Sequence, residues 1–179
     1  MRRMHGYIAL GSNLGDRRCH LEAGLAGLRE ARIRPVGVSS VWETEPVECS
    51  PSRWFWNMTV KVKTDQEPLQ VLDSLMEIEG LAGRERTTRN GPRTLDLDLL
   101  ILGDLVVDHD RLTLPHPRMW QRRFVLEPLA EIESGLVNPV TGLTVAEERD
   151  RSADRSLVRC IGPLACRSFP AHEIQIDRG

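Results

Sequence analysis

Two aspartates, Asp96 and Asp98, stand one residue apart in the run RNGPRTLDLDLLIL, residues 89 to 102. On an extended strand, residues two apart point the same way, so both carboxylates would leave one face about 6.5 to 7 Å apart. Charges so placed repel, and burial raises at least one pKa unless a cation accompanies them. Hard divalent ions such as Mg²⁺ take oxygen ligands, commonly one or two carboxylates completed by substrate phosphates. Two solvated acids on an exposed edge strand, or acids paired with arginines, would carry the same Asp-x-Asp. The preceding loop weighs against that reading. Arg84, Arg86, Arg89 and Arg93 fall within ten residues, and guanidinium groups keep their charge and grip phosphate oxygens bidentately. Metal-binding acids beside an arginine-lined loop point to a metal–nucleotide complex, with a solvated basic loop as the alternative for Arg84, Arg86 and Arg89. Gly91-Pro92 sets the turn that delivers Arg93 to the strand. There is no Gly-x-x-x-x-Gly-Lys-Ser/Thr run, so the nucleotide would be held without a P-loop.

Several elements must position these groups. His5 to Leu10 reads as a strand, and Gly11-Ser12-Asn13 as a turn into a helix with Leu21, Leu25 and Leu28 at helical spacing. Val36 to Trp42 reads as a second strand and Glu43 to Trp54 as a loop. Asn57 to Lys63 alternates, with Met58, Val60 and Val62 on a covered face and Asn57, Thr59, Lys61 and Lys63 on a polar one. Pro68 suits the first turn of a helix on which Leu72, Leu75, Met76 and Glu79 share a face, with Gly80 and Gly83 ending it. Thr94 to Leu102 is the aspartate strand, with Leu95, Leu97, Leu99 and Ile101 opposite the acids. A short strand pair is expected at 105–107 and 112–114, and a helix from about 123 to 132. The order βαββαβ predicts an α+β fold of ferredoxin-like type: an antiparallel sheet, two helices on one face and the active site on the other, with C-terminal additions.

The whole chain sets outer bounds. Its 179 residues suit one domain, expected over 1–149, with 150–179 as a polar tail carrying a few apolar anchors. A net charge of −2 and a pI near 6.2 argue against a nucleic-acid partner bound through bulk positive charge. Met1-Arg2-Arg3 mimics the start of a signal peptide, but the apolar run Tyr7 to Leu10 is too short for one, so a cytoplasmic protein without a membrane partner is expected. No stretch reads as an obligate protein-partner surface. Cys19, Cys49, Cys160 and Cys166 form no Cys-x-x-Cys pair, so free thiols are expected, with a Cys160–Cys166 disulfide left open.

The run GPRTLDLDLLIL resembles the signature of the 6-hydroxymethyl-7,8-dihydropterin pyrophosphokinase family. The resemblance extends through YIALGSNLGDR, SSVWETEPV, FWNMTVKV, IEGLAGRER, LTLPHPRM and RRFVLEPLAEI, in the family's order, over about residues 5 to 133. It implies a ferredoxin-like fold, ATP as co-substrate and transfer of diphosphate to the pterin's hydroxymethyl oxygen with release of AMP. It also implies two Mg²⁺ ions held by Asp96 and Asp98. Arg84 and Arg93 match arginines that assist transfer and bind phosphates, and Arg86 and Arg89 match loop residues that close over ATP. His116 and Arg122 match further phosphate-side contacts, Thr113 and Leu72 match positions near the nucleoside, and Glu79 matches an acid on the ATP side. For the pterin, Phe55 and Phe124 match a stacking pair, Asn57 a rim hydrogen-bonding residue, and Thr44 and Val47 neighbouring loop contacts. A flat heterocycle with a polar rim requires that combination.

The chain departs from the family pattern at Glu48-Cys49-Ser50-Pro51-Ser52, where relatives commonly have Gly and an Asp-Gln-Pro-like run, at Asn90 and at Trp120-Gln121. None of these removes a metal ligand or a transferring arginine. Two rival readings stay open at this point: a metal-dependent nucleotidyl transferase using the same acids, and a non-catalytic ATP- or pterin-binding module.

Overall fold

The computed structural model describes residues 3–45, 54–83 and 93–164. The elements run β1 (Met4–Ser12), α1 (Arg17–Glu30), β2 (Arg34–Val38), β3 (Val41–Thr44), β4 (Phe55–Thr64) and α2 (Pro68–Leu81). They continue as β5 (Asp96–Leu102), β6 (Val107–His109), β7 (Leu112–Leu114), α3 (Arg123–Glu133), α4 (Val145–Arg151) and β8 (Val158–Gly162). Strands β5-β1-β4-β3-β8 form one sheet in that order, β2 also pairs with β4, and the ladders are antiparallel. The architecture is α+β. Among the described residues no helix is long and apolar enough to cross a membrane.

Helix α1 starts where Asp16 accepts the Cys19 N–H at 3.1 Å, satisfying one donor exposed at a helix N-terminus. Its glycines, unfavourable for helix formation alone, are needed for packing. A Cβ at Gly27 would lie 2.8 Å from Ile78 of α2, and one at Gly24 would lie 3.2 Å from Leu10 of β1. Helices α1 and α2 thus close on one sheet face over Ile8, Leu10, Met58, Val60, Leu95, Leu97 and Leu99.

The other face is not left open, contrary to the expected polar surface on the alternating strand. Helix α3 packs across it with Val125, Leu126 and Leu129 against Tyr7, Leu100 and Ile101, and Thr59 is fully buried there. Helix α3 covers β4 and β3, so this face is covered in part and the aspartates lie beside the covered part. Ile101 joins this second core instead of aligning with Leu99. A β-bulge between Leu99 and Ile101, opposite Ile8 and Tyr7, inserts Leu100 and reverses the facing of the residues after it.

The strand expected over 36–42 is divided into β2 and β3. The ladder ends at Ser39 and Ser40 because the Thr59 N–H goes to the Ser39 hydroxyl at 2.9 Å, although the Ser39 N–H still reaches the Thr59 carbonyl, and because Ser40 gives its N–H and hydroxyl to Glu131 of α3. On α2 the buried face is Val71, Leu75, Ile78 and Glu79, while Met76, expected inside, is exposed. Within the stretch read as a tail, Val158–Gly162 forms β8 on β3. Cys19 and Cys160 are free, exposed thiols.

Candidate active site

The sheet register assembles a site at one end of β5, β1 and β4. Gly11 of β1 stands opposite Asn57 on one side and Asp96 on the other, and Ala9 stands likewise between Thr59 and Asp98. Two adjacent rows, Asn57–Gly11–Asp96 and Thr59–Ala9–Asp98, therefore cross the same face. The two smallest side chains lie between the acids and the amide, giving a low floor flanked by polar groups. The floor is tight: a Cβ at Gly11 would lie 2.8 Å from Asn57 Oδ1. Asn57 Nδ2 donates to Thr44 Oγ1 at 2.7 Å, and both residues are buried. Phe55 pairs with Thr44 and, two residues before Asn57, shares its face.

Basic residues lie near the acids. Arg93 ion-pairs with Asp96 through Nη1. Burial, then the charge of Asp96, pushes the Asp98 carboxyl up, opposed by His116, Arg122 and Arg93. Burial pushes the His116 imidazole down, as do Arg122 and Arg118, while Asp98 pulls it up. The Arg122 guanidinium lies 5.4 Å from the ring centroid of Phe124, joining this arginine to an aromatic group. Asp96, Asp98, Arg93, His116, Arg122, Asn57, Thr44, Phe55 and Phe124 thus belong to one connected end of the molecule.

Backbone contacts set these side chains in place. Asn13 Oδ1 accepts the Arg93 N–H at 2.7 Å and the Asn13 N–H donates to the Arg93 carbonyl at 3.1 Å, so the end of β1 grips the residue that enters β5. The outer edge of β5 is occupied twice. The buried Glu79 accepts the Leu97 N–H at 2.8 Å, and the His116 N–H donates to the Leu100 carbonyl at 2.8 Å. Glu79, expected on the nucleotide side, is therefore engaged with the strand backbone. Leu72 is half-buried on α2 and Thr113 is exposed on β7. The β6–β7 hairpin is tied to α2 by the Arg111–Asp73 ion pair. Val47, Arg84, Arg86 and Arg89 lie outside the described residues.

The residues present fit a hard divalent cation. On this strand face burial and the nearby Asp96 disfavour the charge of the half-buried Asp98, and a cation beside it removes that cost. Among the described residues no cluster of three or more acidic, His or Cys ligands exists, so phosphate oxygens or water would complete the coordination, as suits Mg²⁺.

Sequence reasoning missed Ala9, Gly11 and Asn13 as site residues. Asn13 carried a signal, a polar residue directly after an apolar strand, read only as a turn. Ala9 and Gly11 carried none, because their value lies in which residues pair beside them. Arg17 was also missed. It lies 4.5 Å from the centroid of Trp56 and donates to the Trp54 carbonyl at 2.7 Å, holding the entry to β4. A cavity of about 810 Å³ adjoins it, lined by Arg17, Glu43, Trp54, Leu157, Val158 and Arg159. It contains neither aspartate, and its acid is already paired with both arginines.

Residues 7–134 match the family model described as 7,8-dihydro-6-hydroxymethylpterin-pyrophosphokinase (HPPK). The chain is 46% identical over 127 residues to the 2-amino-4-hydroxy-6-hydroxymethyldihydropteridine pyrophosphokinase of Bacillus subtilis, covering 70% of this chain and 76% of that protein. It is 38% identical over 154 residues to the protein of the same name from Haemophilus influenzae, covering 86% and 96%. In fold it is similar to the Plasmodium falciparum HPPK-DHPS solved with pterin and p-hydroxybenzoate, with a TM-score of 0.66 at 16% identity, covering 84% of this chain and 42% of that one. This chain thus spans less than half of that solved chain. On the match over residues 7–134 and the identity to relatives covered over 76% and 96% of their length, the chain belongs to the 7,8-dihydro-6-hydroxymethylpterin-pyrophosphokinase family.

Proposed function

We propose that the family's reaction, diphosphate transfer from ATP to the hydroxymethyl oxygen of 6-hydroxymethyl-7,8-dihydropterin with release of AMP, takes place over the β5–β1–β4 end of the sheet. The observation that carries this reading is the pair of cross-strand rows that set Asp96 and Asp98 beside Asn57 across a floor of Gly11 and Ala9. In it, Asp96 and Asp98 hold Mg²⁺, with two ions expected. When bound, Mg²⁺ neutralises charge on the phosphates.

The chain's own residues do the rest. Arg93, with Arg84, meets charge at the transferring phosphoryl group; Arg86 and Arg89 close over ATP; His116 and Arg122 bind the phosphate side. Leu72 and Thr113 lie toward the nucleoside, while Glu79 serves the ATP side through the strand backbone it holds. Phe55 and Phe124 take the faces of the pterin, while Asn57, Thr44 and Val47 meet its rim. Positioning the hydroxymethyl oxygen for attack on the β-phosphorus carries much of the acceleration. The strand order, with two helices on one face, is read as ferredoxin-like. Residues 1–149 form the pyrophosphokinase domain, to which the C-terminal segment adds β8, and it works in the cytoplasm without a nucleic-acid, membrane or obligate protein partner.

Incubation of the chain with MgATP and the hydroxymethylpterin tests the reading. AMP and pterin diphosphate are expected. Release of pyrophosphate with a nucleotidylated product would overturn it in favour of nucleotidyl transfer, and tight binding of both ligands without turnover would overturn it in favour of a binding module.

A further inference from the structure

Helix α3 begins inside the site, and the residue at its N-cap is Arg122. An arginine side chain has only donors, so it cannot accept from the N–H groups that a helix start leaves without intrahelical partners. The acceptor comes from the C-terminal segment: Asp154 Oδ2 takes the Arg123 N–H at 2.8 Å. Asp154 is itself held in a tight turn. Its N–H donates to Ser152 Oγ at 3.2 Å, and its Oδ1 accepts the Ser156 N–H at 2.9 Å. Burial pushes its carboxyl up, but the hydrogen bonds from Arg123 and Ser156 and the charge of Arg123 outweigh this and hold it below the usual range. An anion thus faces the positive end of α3, where it is favoured. Asp154 lies beyond residue 134, where the family match ends.

We propose that Asp154 is a positioning residue for diphosphate transfer. From the C-terminal segment it pins the first turn of α3 and so sets where Arg122 meets Asp98 and where Phe124 faces the pterin. This rests on the proposed diphosphate-transfer site. The polar fastenings of α3 at Glu131 and Glu133 hold its far end, and burial of Val125 and Leu126 keeps the helix on the sheet. Asp154 fixes the position of the turn that carries the site residues.

The test compares Asp154→Ala and Asp154→Asn with the unaltered full chain, by amide hydrogen exchange over residues 122–126 and by steady-state kinetics. Asn keeps an acceptor oxygen without the charge. The Ala variant is expected to exchange about five- to tenfold faster in that turn, with kcat lowered and pterin KM raised by similar factors, and with a thermal midpoint close to wild type. The Asn variant should recover most of each loss. An active wild type matched by Asp154→Ala in exchange and in both kinetic constants would overturn the proposal alone, as would kinetic losses equal in Ala and Asn. A wild-type chain that released no AMP would overturn the site reading and this proposal with it.

Discussion

Asp98 holds a carboxyl whose charge is opposed both by burial and by Asp96, its neighbour on the same strand face, an arrangement that gains most from a bound cation. Asp98→Ala should therefore lower turnover by roughly 100-fold or more while leaving pterin affinity nearly unchanged, since Phe55 and Asn57 lie across the floor on β4. Titration of the folded variant with the pterin checks this, and equal loss of both would refute the division. Arg93 poses a different question, because its guanidinium meets Asp96 directly. If it acts chiefly on charge that develops during transfer, Arg93→Ala should depress kcat more than ATP affinity. An affinity loss accounting for the whole effect would make it a binding group only. Gly11 is decided by space. A methyl there meets Asn57 Oδ1 at 2.8 Å, so Gly11→Ala should displace Asn57 and weaken pterin binding about tenfold, as calorimetry would show.

At the scale of elements, α3 is fastened to the sheet by two glutamates in its last turn. Glu131 accepts from the Ser40 N–H at 2.9 Å, the Ser40 hydroxyl at 2.8 Å and Trp42 Nε1 at 3.0 Å. Glu133 accepts from the Tyr7 hydroxyl at 2.7 Å and from Lys61. Tyr7 is the chain's single tyrosine, so its titration can be read by phenolate absorbance without interference. Burial first, then the hydrogen bond to Glu133 and that group's charge, push the phenol well above its ordinary 10.0. The stabilisation from keeping it neutral is complete below pH 10 and fades as pH rises through the folded value. Glu133→Gln should bring the midpoint back toward 10; an unmoved midpoint would mean that burial alone sets it. Glu131→Ala should lower unfolding free energy by about 1 to 2 kcal/mol, measured by urea titration.

For the molecule as a whole, the acid limit of stability follows from carboxylates that hold elements together. Glu43 and Glu133 are pushed up by burial, yet hydrogen bonds from Arg159, Trp56 and Arg17 to the first, and from Lys61 and Tyr7 to the second, bring both below 4.5. With the folded values depressed, their stabilisation is present above pH 4.5 and is lost as pH falls through those values. Unfolding free energy should therefore drop below about pH 4.5. The double variant Glu43→Gln with Glu133→Gln should be less stable at neutral pH but show a flatter acid limb. An acid limb as steep as that of the wild type would assign the loss to other groups.

The amino-acid sequence by itself determined most of the elements and pointed to candidate reacting groups. Alternation and helical spacing are local properties, so the aspartate strand, α1, α2 and α3 were legible, as were the acids and arginines whose chemistry is written in their side chains. What only the tertiary structure decided was adjacency. Pairing beside β1 made Gly11 and Ala9 a floor, two glycines let α1 close on its neighbours, and a one-residue bulge reversed Ile101. The sheet face expected to be open was half covered because α3 returns to β4 from far along the chain, bringing Glu133 to Lys61 across a separation of 72 residues. Such facts depend on which segments meet, and side-chain type carries no record of partners so distant in the chain.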